Sequence, residues 1–60
     1  MKRGDKFLHA FWLDANNQPL RCEITSIRRG RVHWKRENGT YHAMWFDADA
    51  ASKHVKEWLQ

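Results

Sequence analysis

The sequence predicts a mainly β (α+β) domain, a meander of four to five short antiparallel strands followed by a C-terminal helix packed on it. Three observations predict it. Apolar and polar residues alternate in runs separated by turn-forming residues. Asn38-Gly39 stands between two strand-forming runs and signals a type I′ hairpin. After Asp47 the apolar residues change to helical spacing.

Residues 6–13 form the first expected strand. Phe7, Phe11 and Leu13 fall on one alternation and Leu8, Ala10 and Trp12 on the other. Both faces are therefore expected to be covered, as in a strand that bends from one sheet to another or lies between sheet and helix. The segment Asp14-Ala15-Asn16-Asn17-Gln18-Pro19 reads as a polar turn, with local side-chain acceptors and a fixed proline φ. Residues 20–28 alternate Leu20, Cys22 and Ile24 against Arg21, Glu23 and Thr25. Ile27 then breaks the phase, which leaves either a bulge near Thr25-Ser26 or an outward Ile27 before the Arg29-Gly30 turn.

Residues 31–37 and 40–46 form the Asn-Gly hairpin. Its register pairs Lys35 with His42, Trp34 with Ala43, His33 with Met44 and Val32 with Trp45. One face then carries Val32, Trp34, Tyr41, Ala43 and Trp45 and reads as core; the other carries Arg31, His33, Lys35, His42 and Met44 and reads as a basic surface. Asp47 can cap a helix over 48–59, whose stripe of Ala48, Ala51, Val55, Trp58 and Leu59 is expected to cover the sheet on its Trp58 side.

A chain of 60 residues makes one domain at most. A domain of this size buries only about 60% of the surface exposed by its unfolded chain, so its core must be dense. Four Trp, three Phe and one Tyr can supply it despite a mean hydropathy of -0.90. The single Cys22 excludes an internal disulfide and fits a reducing compartment. No apolar run has the length of a membrane span or the character of a signal peptide, so a cytoplasmic protein without a membrane partner is expected. The formal charge is +4, and it is uneven: Arg28, Arg29, Arg31, Lys35 and Arg36 fall in one stretch that contains no acid. That asymmetry favours an anionic partner.

From Ile24 through the Arg29-Gly30 and Asn38-Gly39 turns to the terminal helix, the chain resembles the small SH3-like barrels. In layout, over residues 6 to 59, it is similar to the basic archaeal chromatin barrels. The resemblance implies a sheet whose exposed face lies across the DNA minor groove and wedges apolar side chains between base steps. By position Arg31, His33, His42 and Met44 would fall on that face.

The residues themselves point the same way. Arg21, Arg28, Arg31 and Lys35 can each neutralise a phosphate, Arg29 extends the patch from the turn, His33 and His42 add donors, and Met44 adds an apolar contact. The expected partner is nucleic acid, with duplex DNA favoured and weak sequence preference. Single strands call for an exposed aromatic pair, which the basic face lacks. The alternative is a protein-interaction module, an inhibitor or adaptor of the kind mobile elements encode, docking its Arg-rich hairpin on an acidic protein surface. Arg36 falls on the Trp34 side, where it is expected to pack, either snorkelling out or lying over an aromatic ring. The four indoles read as core, Trp12 being the one most open to exposure. His9, His33 and His42 do not reach the ligand count of a metal site, because Cys22 points to the opposite face. No cofactor is expected. No nucleophile, base or glycine-rich loop stands in a catalytic relation, so a binding protein is expected rather than an enzyme.

Overall fold

The computed structural model describes residues 1–59. The chain runs β1 (Lys6–Leu13), β2 (Pro19–Arg28), β3 (Arg31–Arg36), β4 (His42–Trp45), α1 (Ala48–His54) and β5 (Val55–Leu59). The strands make one open antiparallel sheet in the order β4-β3-β2-β1-β5.

Alternation sets the inward face. Phe7 pairs with Cys22, Ile24 with Trp34, Trp34 with Ala43, and Val32 with Trp45. These residues apart from the half-buried Ala43, with Leu20 and the helix residue Ala51, are the buried apolar core. The β3–β4 register is the one expected from the sequence, because any one-residue slip would carry Trp34 and Trp45 into water. Between Ile24 and Ser26 the β2–β3 register shifts, so Thr25 is the bulge and Ile27 returns to the face of its partner Val32.

The turn chemistry is placed differently from expectation. Neither Asn38 nor Gly39 has a positive φ, so the β3–β4 connection is not a type I′ turn. The Glu37 amide instead donates to the Arg21 carbonyl at 3.0 Å, continuing the β2–β3 ladder beyond Arg36 and leaving a wider loop to Tyr41. The tight turn is at Arg29-Gly30, where φ values of 51° and 81° lie between the paired Arg28 and Arg31. Both residues are left-handed, as a two-residue I′ connection requires.

The helix is also shorter than expected. Asp47 caps it, its Oδ1 accepting the Ala50 amide at 2.8 Å, but the helix ends at His54 rather than continuing to residue 59. Val55–Leu59 is a fifth strand on the free edge of β1. There Val55 pairs with His9 and Trp58 with Phe7, with the register shifting between these two pairs. A strand carrying one extra residue brings positions three apart to the same face, as a helix does, and pairing the open backbone edge of β1 favours the strand.

β1 departs furthest from a regular strand. Leu8 pairs with Arg21 and Leu13 with Pro19, so His9, Ala10, Phe11 and Trp12 stand opposite Leu20 alone. The Phe11 and Trp12 amides, displaced from the ladder, both donate to Nδ1 of His9 at 3.1 Å. His9 is 1% exposed and stacks on Trp12 at 4.8 Å and 13°. The expected alternation fails here. Phe11 (67% exposed) and Leu13 face solvent, while Trp12 folds back over Trp34 with ring centroids 5.4 Å apart.

Two measurements follow. An added Cβ meets no atom within 4 Å at Gly30, whose φ is +81°, whereas at Gly39 it makes ordinary contact with the Arg36 side chain at 3.6 Å. Gly30→Ala should therefore cost about 1–2 kcal/mol from backbone strain alone, and Gly39→Ala less than about 0.5 kcal/mol; equal costs in denaturant titrations would contradict this turn assignment. For His9, burial and then the charge of His54 hold the imidazole below its usual 6.5. The unfolded chain takes up that proton first, so stability should be full above pH 6.5 and fall as the pH drops towards the lowered value. A ring-proton NMR titration of His9 with a midpoint at or above 6.5 would refute it.

Candidate functional site

The outward face carries the opposite alternation. Its rows run Arg28–Arg31, then Ser26–His33–Met44, then Glu23–Lys35–His42, with Lys6 beside Glu23 on β1. The fold thus places Arg28, Arg31, His33, Lys35, His42 and Met44 on one surface. Arg29 stands at its end in the tight turn.

Arg21 shares this face, but it is engaged. Its Nε donates to Glu37 at 3.0 Å, and the other oxygen of Glu37 lies 3.9 Å from the Lys6 amine. Glu23 stands between Lys6 and Lys35 in register. The β1 side of the face is therefore mixed in charge, and the excess positive charge lies towards β3 and the Arg29-Gly30 turn. Arg28, Arg29, Arg31 and Lys35 make no ion pair among the described residues.

One residue of this surface escaped sequence reasoning. Phe46 follows the inward Trp45, is 72% exposed, and lies 5.8 Å from the Arg31 guanidinium, within cation–π range. Strict alternation past Trp45 would have signalled it. With Met44 it gives the basic surface an apolar component.

Arg36 behaves otherwise. Its register partner is Cys22, which turns it to the inward face, and there it borders a cleft of about 470 Å³ together with Trp12 and Tyr41. Among the described residues it lies over no aromatic ring; the cation–π contact belongs to Arg31. Leu13, Ala15 and Leu20 line the apolar part of the cleft, and Asp14 reaches it from the β1–β2 turn. The Trp12 and Tyr41 rings meet edge to face at 5.6 Å, and both remain more than two-fifths exposed. A depression of about 90 Å³ adjoins, sharing Asp14, Leu20 and Arg36 and adding Arg21 and Asn38.

Cys22 lies behind this cleft, fully buried. Burial pushes its thiol up to about 11, Arg36 pulling it down and Glu37 pushing it up by smaller amounts. No helix is long and apolar enough to cross a membrane among the described residues. Compared with family models, curated proteins and solved structures, the chain matches none.

A thiol held at about 11 carries almost no thiolate near neutrality. Native protein should accordingly leave Cys22 unmodified by iodoacetamide at pH 8, with alkylation by mass spectrometry appearing only on addition of denaturant; prompt labelling of folded protein would contradict the burial.

Proposed function

We propose that this protein binds nucleic acid, duplex DNA in preference, through the outward face of β2, β3 and β4. The observation that carries this reading is the set Arg28, Arg29 and Arg31 at the β2–β3 turn end of one face, with Lys35 two rows behind them; none of the four makes an ion pair among the described residues. His33 and His42 add donors beside them, and Met44 and Phe46 offer the apolar contacts that exploit deformable base steps. The face carries no aromatic pair on which successive unpaired bases would stack, which is why duplex is preferred. Binding of this kind rests on phosphates and is weak in sequence preference.

The strand order supports an SH3-like barrel as the finer description of the fold. β5 returns to β1 after a helical turn that separates it from β4, and the bulged β1 supplies the bend that closure needs. A second reading is favoured by the 72% exposure of Phe46 beneath Arg31: such a pair also suits an acidic protein surface, in the manner of an adaptor or inhibitor.

Fluorescence anisotropy with a mixed-sequence duplex at several salt concentrations separates the two. Four phosphate contacts predict a slope of log affinity against log salt of about −3.6. Arg31→Glu with Lys35→Glu should lower affinity roughly 100-fold while the circular dichroism spectrum stays native. No binding to duplex at low salt, with folded protein, would refute the nucleic-acid reading and leave the protein partner.

A further inference from the structure

The cleft on the inward face is separate from the basic surface, and its chemistry is different. We infer that it is a site for one unpaired nucleotide, the base against Trp12 and Tyr41 and the phosphate on Arg36. This rests on the nucleic-acid reading for the class of ligand only, since the cleft lies on the other face and the residues proposed for duplex binding are absent from it.

Three features converge. First, the Trp12 and Tyr41 rings, 5.6 Å apart at 61°, form two walls of an aromatic corner that is open to solvent although it belongs to the aromatic cluster. A planar ring entering it stacks on one ring and meets the other edge-on, which is how aromatic platforms hold bases. The volume, about 470 Å³, falls within the range of small-molecule sites.

Second, Arg36 borders both the cleft and the adjoining depression, and it makes no ion pair among the described residues. The depression, about 90 Å³, has room for about three waters, the scale of a tetrahedral anion. Arg21 stands at its other side with its Nε taken by Glu37. Arg36 is thus the cation available for a phosphate attached to a ring in the aromatic corner.

Third, Asp14 gives the cleft an acceptor. Its Oδ1 takes the amides of Asn16 and Gln18 at 2.8 and 3.0 Å, which fixes the carboxylate to its turn. Oδ2 makes no hydrogen bond among the described residues, and an exocyclic amino group of a base can donate to it. Asp14 borders the depression as well as the cleft, so the phosphate must take the side of the depression held by Arg36 and Arg21, with the base towards Asp14. Adenine, which carries an amino group, should then be preferred to thymine, which has none.

The test is an NMR titration with deoxyadenosine monophosphate, thymidine monophosphate, a short oligo-deoxyadenylate and a blunt duplex. Deoxyadenosine monophosphate should shift the Trp12 indole and Tyr41 signals and bind at least about fivefold more tightly than the thymidine compound. Arg36→Met, which keeps the aliphatic stem, should weaken it about tenfold, and Asp14→Asn, which keeps the turn acceptor, should erase the preference between the two bases. Tighter binding of the oligomer than of the mononucleotide identifies a single strand as the source of the nucleotide; equal binding identifies the free nucleotide, and both uphold the site. Shifts confined to β3 and β4, no shift at about 10 mM ligand, or an Arg36→Met protein that is folded and binds unchanged would each overturn the inference. Arg31→Glu with Lys35→Glu should leave mononucleotide binding intact, so a failure of duplex binding refutes the outward-face reading without touching this one.

Discussion

The imidazole of His9, accepting the amides of Phe11 and Trp12, is the interaction on which the rest of the molecule depends. Four residues of β1 stand where one would in a regular ladder, and two of their amides would otherwise be unpaired beside the core. An unpaired buried donor costs about 1–3 kcal/mol, so a side-chain acceptor at that position is what makes so large a bulge tenable. The arrangement places the ring hydrogen on Nε2, which is buried with no hydrogen-bond partner among the described residues, as is Nε1 of Trp34. Both groups sit among aromatic rings, whose faces carry partial negative charge. From His9 the aromatic contacts continue: Trp12 stacks on its ring, and His54 meets it edge to face at 5.8 Å and itself stacks on Trp45 at 5.5 Å. The Nδ1–H of His54 donates to the Ala50 carbonyl, tying the short helix to the same cluster.

That bulge also explains why two faces of one small sheet differ so much. On the outward face the β3–β4 rows stay in register and the β2–β3 ladder shifts by a single residue at Thr25, with Arg29 in the tight turn at the end of these rows. On the inward face β1 bends and delivers Trp12 beside Tyr41, opening the cleft at the end of the core that the helix does not cover. Carboxylates sharpen the separation: Glu37 holds Arg21 and approaches Lys6, so the outward cations left without an ion pair are those nearest the β2–β3 turn, with Lys35 behind them.

Much of the outward face was legible from alternation alone, because Val32, Trp34 and Trp45 tolerate only one register and every residue between them is then forced outwards. Turn type was less legible. Asn-Gly is the stronger local signal, yet Glu37 is drawn into the β2 ladder and the left-handed pair is Arg29-Gly30, an arginine accepting a φ that glycine or asparagine would hold more readily. The end of the helix was misread because Val55, Trp58 and Leu59 fit helical spacing. The edge of β1, which competes for that segment, is a partner that local periodicity does not contain. Arg36, Trp12 and Asp14 come from three separate parts of the chain, and nothing in their local sequence brings them together.

By itself, then, the sequence determined which side chains oppose one another across β3 and β4, where the helix begins, and that cations without neighbouring acids would stand around the β2–β3 turn. Those follow from short-range rules: a period of two, a capping carboxylate, and a run of cations without acids. Only the tertiary structure decided that His9 would turn inward as an acceptor, that the last five described residues would pair as a strand, and that an aromatic corner would open beside Arg36. Each of these depends on satisfying backbone donors and strand edges against partners distant in sequence, and such satisfaction exists only once the sheet is assembled.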